Sequence, residues 1–327
     1  MYGFLALWII VFHIESTVGL PWSIPVLSPL IQCGNICVDV FFFISGYCCY
    51  LSFKKNPDLF QFYKRRRIRV VLPYLILAIP FYLWKAITHY SAFSFGRRVL
   101  LFLADISGLS LWTNGVLTTW FVTAIILFYL VFPVVFYLSS RTQSCIKAFI
   151  LLALVYCFGV IIIHALFPGV YRKGCIAITR FPVFCLGSLC AFFSLLPNSN
   201  KRIALISSIF ILLFLGIIPI RSILDSAHAS REFYWLVYIV FTIPLIYCLY
   251  TLIRFMPLFL RRFLSFCGVI SLELYLVHIL IRNVLVWYSI TPLLGYWFYL
   301  ILPLVSIPIA YGVSVLANRI RHALSID

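Results

Sequence analysis

Polar positions along this chain act as punctuation rather than as one face of a repeating pattern. Runs of about 18 or more residues are apolar all round, and short clusters of Lys, Arg, Pro, Asn and Ser separate them. A run of that length crosses about 30 Å of hydrocarbon as a helix. Helix is also the conformation that satisfies every backbone group within one segment in lipid. The runs predict spans at about 3–20, 35–53, 68–88, 116–138, 146–167, 176–195, 203–220, 233–252, 267–288 and 294–316. The stretch 97–112, RRVLLFLADISGLSLW, is shorter and holds Asp105, so it reads as interfacial or re-entrant. Counted as a span, it would make eleven and reverse half the topology. The pattern therefore predicts an all-α polytopic membrane protein with about ten transmembrane helices.

Composition agrees: 64% of residues are hydrophobic and 10% charged, too little charge to cover a soluble domain. The net charge of +17, from 25 Lys/Arg against 8 Asp/Glu, would point to nucleic acid in a soluble protein. No groove-reading or RNA-binding pattern accompanies it, and its distribution has another explanation. Seven basic residues fall in KKNPDLFQFYKRRRIR against Asp58 alone. Arg141 and Lys147, Lys201 and Arg202, then Arg254, Arg261 and Arg262, occupy alternate loops, and Arg319 and Arg321 follow the last span. In the ten-span arrangement all of these share one side, which the positive-inside rule makes cytoplasmic, with both termini inside and anionic lipid headgroups within reach. The opposite loops are less clean, holding Arg97, Arg98, Arg172, Lys173, Arg221 and Arg231. The eleven cysteines lie mostly in apolar runs without Cys-x-x-Cys or Cys/His metal spacing, and read as small buried hydrophobes. No metal site is expected. The first run lacks a basic n-region and a small-residue cleavage site, so it reads as a retained helix. Without a repeat or linker, residues 1–327 read as a single membrane domain.

A charged side chain at mid-membrane costs about 2.5–3.5 kcal/mol on insertion scales, so each calls for a partner or a task. Glu15, Asp39 and Glu273 fall in or near spans, as do His13, His164 and His278. His13 lies about 15 Å along the first helix at 1.5 Å per residue. Its imidazole would either move a proton near neutral pH or hydrogen-bond between helices as structural glue. Glu15 is two positions on and faces away from it. Glu273 and His278, in SLELYLVH, are offset by about 140° at 100° per residue and do not form a dyad by spacing. Arg180 stands at a span boundary, where snorkelling to headgroups is the default. The KRRRIR run at 64–69 has the positive-inside reading beside that of a clamp for a cytoplasmic polyanion.

Six segments, taken in order, resemble the acyltransferase-3 family of integral membrane acyltransferases. GFLALWIIVFH (Gly3 to His13) is similar to that family's opening helix with its functional histidine. VDVFFFISGY (Val38 to Tyr47) is close to its V-D-x-F-F-x-x-S-G-[FY] signature. Arg69 and Tyr74 resemble the R-x4-Y that ends its basic run, with Pro73 shifted by one. TTWFVTAIILFYLVFP (Thr118 to Pro133), RFPVFCLG and GVISLELYLVH complete the set.

The resemblance implies transfer of an acyl group, usually acetyl, from cytoplasmic acyl-CoA to a hydroxyl of a cell-surface or lipid-linked glycan, in a bacterial inner membrane. Acetyl-CoA would be a co-substrate, and no permanently bound cofactor is implied. It assigns catalysis to His13 with Glu273 and His278, places Arg65, Arg66, Arg69 and Tyr74 at the CoA site, and has Asp39, Ser45, Trp120 and Arg180 line or brace the polar interior. One position departs: where the family's first helix carries arginine just ahead of the glycine, this chain has Tyr2. A compensating arginine from the 64–69 run, altered donor chemistry and weakened catalysis are the three explanations. The rival readings are a transporter or flippase of an anionic or acylated solute, which also needs buried acids and histidines, and a catalytically weakened scaffold.

Overall fold

The computed structural model describes residues 1–21, 27–115, 117–142, 144–193, 216, 220, 223 and 231–323. Among them every regular element is a helix, and there is no strand. The chain opens with α1 (Tyr2–Val18) and α2 (Leu27–Gln32), then α3 (Ile36–Lys55) and α4 (Leu59–Arg66). Asp58 caps α4 by accepting from the Gln61 backbone N–H at 3.2 Å. A π-helical turn, Arg67–Val71, leads into α5 (Leu72–Thr88). Next come α6 (Phe95–Ser107), which Gly108 ends in the left-handed conformation (φ 81°), α7 (Leu109–Thr113), α8 (Trp120–Ser140) and α9 (Cys145–Leu166). The remainder is α10 (Pro168–Ile178), α11 (Phe181–Phe192), α12 (Arg231–Phe255), α13 (Leu258–Val269), α14 (Ser271–Trp287), α15 (Thr291–Leu294) and α16 (Phe298–Ala323).

Six of these segments are long and apolar enough to cross a membrane, and up to eight when two bent pairs count as one span each. The pairs are α10 with α11, bent by 42°, and α13 with α14, bent by 76°. The helix α1, 17 residues long, is apolar but shorter. The protein is therefore an integral membrane protein of six to eight such helices among the described residues. Nine of the ten predicted spans fall on described helices; the run 203–220 lies almost wholly outside the described residues. The ambiguous stretch 97–112 forms α6 and α7, and the 13 residues of α6 reach only about 20 Å.

Packing separates lipid-facing from interior helices. On α9 only Ala148 and Leu152 are buried, while Ile146, Leu154, Phe158 and Ile161 are exposed, as expected of a helix on the lipid rim. By contrast α3 is lined with buried residues and packs most intimately on α11. Two glycines face each other across that contact. A Cβ on Gly46 would stand 2.0 Å from the Phe184 carbonyl oxygen, and one on Gly187 would stand 1.9 Å from that of Phe43. Only backbones without side chains approach this closely, the small-residue device by which membrane helices associate. Gly3 does the same for α1 against α13, with 2.0 Å to the Leu264 carbonyl. The core then runs from α1 and α3 through α5, α8, α11 and α14. None of the eleven cysteines forms a disulfide, and seven are buried.

Candidate functional site

Polar groups gather at two levels of the bundle, joined by α1 and α14. The first is a cavity of about 440 Å³ at the end where α1 begins and α16 finishes. From α1 it takes Tyr2 and Ile9, and from α3 Ser45 and Cys48. The basic run contributes Arg66 and Arg69, α14 contributes Ser271, Glu273 and Tyr275, and α16 contributes Arg321. Arg66 is steadied by aromatic faces, with its guanidinium 5.2 Å from the Tyr129 ring centre and 5.4 Å from that of Phe62. Glu273 is the one acid among the lining residues, so the wall carries an excess of positive charge. Tyr2, which stands where the resembling family has arginine, stacks on Phe41 at 5.4 Å and shares the cavity with Arg66 and Arg69.

The second level lies one turn further along the same two helices. His13 follows Ile9 by four residues and His278 follows Tyr275 by three, about 6 and 4.5 Å of rise. The two imidazoles face each other with ring centres 5.4 Å apart, and no hydrogen bond joins them. His278 is fully buried and its Nδ1 lies 2.9 Å from the Leu274 carbonyl. A carbonyl only accepts, so Nδ1 carries the proton and Nε2 is left as a bare acceptor. That Nε2 is buried and without a partner. It is thus a proton acceptor held in place by its own helix, beside His13.

Arg282, one turn beyond His278, completes this level and was missed from the sequence. Its Nε donates to the Thr17 hydroxyl at 2.7 Å and to the His13 carbonyl at 3.2 Å. Thr17 and Ser16 hydroxyls donate to the same carbonyl, at 2.7 and 2.9 Å. The neighbouring Asn283 donates to Thr118 Oγ1 at 2.8 Å, tying α14 to the turn before α8. A fixed positive charge therefore sits beside His13, supplied by neither Tyr2 nor the 64–69 run. The available signal was spacing: His278 and Arg282 are i and i+4, which share a helix face.

Asp39, Trp120 and Arg180 also come together, deeper in the α3–α11 contact. Arg180 is 2% exposed, its Nε lies 3.4 Å from Asp39 Oδ1, and its guanidinium lies 5.3 Å from the Trp120 ring and 4.8 Å from that of Trp235. The default of snorkelling to headgroups is overturned: Arg180 is a buried, paired cation between two indoles. Neither Asp39 oxygen makes a hydrogen bond, so charge and packing hold this group rather than a bonded network.

Other sequence candidates lie elsewhere. Arg65 is exposed and does not line the cavity. The Tyr74 hydroxyl donates to the Ile106 carbonyl at 2.9 Å, away from the cavity wall. Glu273 and His278 belong to different levels, five residues or about 7.5 Å of rise apart along α14. Glu15 accepts from Gln32 at 3.1 Å. Asp105, assigned from sequence to an interfacial segment, is buried and receives Lys85 at 2.8 Å, Tyr90 at 3.0 Å and Ser110 at 2.5 Å, which pins α6 and α7 onto α5.

Comparison with known proteins adds one finding. The profile of the acyltransferase-3 family, an acyltransferase domain, matches residues 3–318. No curated protein and no solved structure matches the chain. With nearly its whole length covered, this chain belongs to the acyltransferase-3 family and is a membrane acyltransferase.

Proposed function

From that membership, we propose that the protein moves an acyl group, acetyl in the first instance, from cytoplasmic acyl-CoA to a hydroxyl of a cell-surface or lipid-linked carbohydrate. The observation that carries this reading is the alignment of the two polar levels along α1 and α14: a basic cavity, then the facing histidines and Arg282 one turn on. In this reading the chain crosses a bacterial inner membrane ten times with both termini cytoplasmic, so the cavity opens to the cytoplasm, where its arginines meet the phosphates of CoA. The thioester then reaches toward the histidine level, which the acceptor hydroxyl approaches from the opposite side.

There the hydroxyl oxygen attacks the thioester carbon, and an imidazole takes the hydroxyl proton as the new C–O bond forms. We assign that role to His13, with His278 Nε2 as the neighbouring acceptor that holds the proton in transit. The proton ends on the departing CoA sulfur as the C–S bond breaks. The Arg282 guanidinium stabilises the negative charge that develops on the carbonyl oxygen. His13→Ala and Arg282→Ala then remain inserted and folded while losing transfer. In proteoliposomes supplied with acetyl-CoA and a glycan extract, mass spectrometry will find acetylated glycan with the wild type and not with either variant. Substrate counterflow without any CoA release would replace this reading with transport.

A further inference from the structure

The last helix brings to the cavity a group that neither the basic run nor the histidine level accounts for. Ser314, Asn318 and Arg321 of α16 line it together, and their spacing of i, i+4 and i+7 makes them one stripe of that helix. Arg321 Nε is buried and has no hydrogen-bond partner. An arginine that merely snorkels to headgroups keeps its donors in water, and its neighbour Arg319, exposed and outside the cavity, fits that description. A buried donor without an acceptor in a cavity wall is free to take one from a ligand. Arg66 and Arg69 line the same cavity, so three guanidinium groups from two distant segments share it with a single carboxylate, Glu273. Several guanidinium forks lining one cavity favour a ligand that brings several negative charges and many acceptor oxygens.

We infer that Arg321, with Asn318 beside it, is a binding determinant for the phosphate-bearing end of the co-substrate, completing with Arg66 and Arg69 a three-arginine site for a nucleoside phosphate. In this chain the third cation comes from α16, whereas the first turn of α1 presents the uncharged Tyr2 to the same cavity. The inference rests on the acyl-CoA reading for the identity of the ligand, but the polyanion site follows from the cavity itself.

The test uses the full chain in nanodiscs and two probes, coenzyme A and inorganic pyrophosphate, with binding followed by calorimetry across a salt series. Arg321→Gln is expected to weaken both by about tenfold to a hundredfold, the loss of one charge-assisted contact. Arg321→Lys should recover part of that, and Arg319→Gln should bind as the wild type does. Recovery by lysine separates a lost contact from a lost fold. Pyrophosphate binding that depends on Arg321, without any binding of coenzyme A, upholds the polyanion site and removes the acyl-CoA reading. Arg321→Gln binding both probes with wild-type affinity overturns the inference, as does a wild type that binds neither.

Discussion

At His13, three side-chain donors converge on one backbone carbonyl, those of Ser16, Thr17 and Arg282. The first two come from the same helix and the third from α14, so Arg282 fixes the histidine's helix against the one that carries His278. Truncating it removes both that tie and the nearby charge. Arg282→Ala is expected to lower turnover about a hundredfold or more, with a stability loss of about 1–3 kcal/mol. Arg282→Lys, which keeps the charge without the fork, should recover stability less than it recovers turnover; steady-state rates and thermal unfolding in detergent separate the two. The candidate site was legible from sequence where a residue carried its own signal. His13 stood out because an imidazole in an apolar run needs a reason. Its partner was not readable, because the facing of His278 on His13 depends on how α14 packs against α1, a property of packing rather than of spacing. Arg282, six residues inside the end of the run 267–288, was marked in the sequence only by its i, i+4 spacing to His278.

Among elements, the α3–α11 contact is the one the structure ties most tightly. Its reciprocal glycines leave no room for a methyl group, so Gly46→Ala or Gly187→Ala must part the helices. Each is expected to destabilise the protein by about 3 kcal/mol or more, as other severe overpacking does. Gly159→Ala on α9 meets open space and serves as the neutral comparison in the same melting experiment. The Asp39–Arg180 pair bridges these two helices, and its behaviour should be that of a buried ion pair. Asp39→Val or Arg180→Met alone strands a charge and should cost about 3–5 kcal/mol, whereas the double variant should recover most of it. A double-mutant cycle on thermal unfolding reads that coupling. Helix positions were largely readable, since apolar runs of this length permit little else in lipid. The bends were not. In the run 176–195 only Pro182, in the first turn of α11, marked the break at Thr179–Arg180, and the run 267–288 held no proline to mark the one at Ile270.

For the whole molecule, the two polar levels define an axis, and the orientation of that axis decides which substrate enters where. The proposed positive-inside arrangement would put Lys54 and Arg141 on the cytoplasmic side and His89 and Lys173 on the outer side. Single cysteines at these positions, in a background with the native cysteines replaced by serine or alanine, should divide accordingly when intact cells meet a membrane-impermeant maleimide. Label from outside at positions 89 and 173, but not at 54 and 141, is the expected result, and the reverse pattern would turn the axis over. The same axis explains why a chain of 327 residues with few acids tolerates buried histidines and arginines at all. They are packed between interior helices, the histidines against each other, Arg180 against Asp39 and Arg282 against Thr17, rather than set against lipid.

The central claim is that His13 performs chemistry on an acyl group delivered from the basic cavity. The most direct measurement is release of free CoA thiol from acetyl-CoA by the purified protein in nanodiscs, with a glycan extract as acceptor. Wild type and His13→Ala are compared at matched thermal stability. The account predicts acceptor-dependent thiol release by the wild type and a loss of about a hundredfold or more in His13→Ala. Equal rates in the two proteins, or a folded wild type that leaves acetyl-CoA intact, would contradict it.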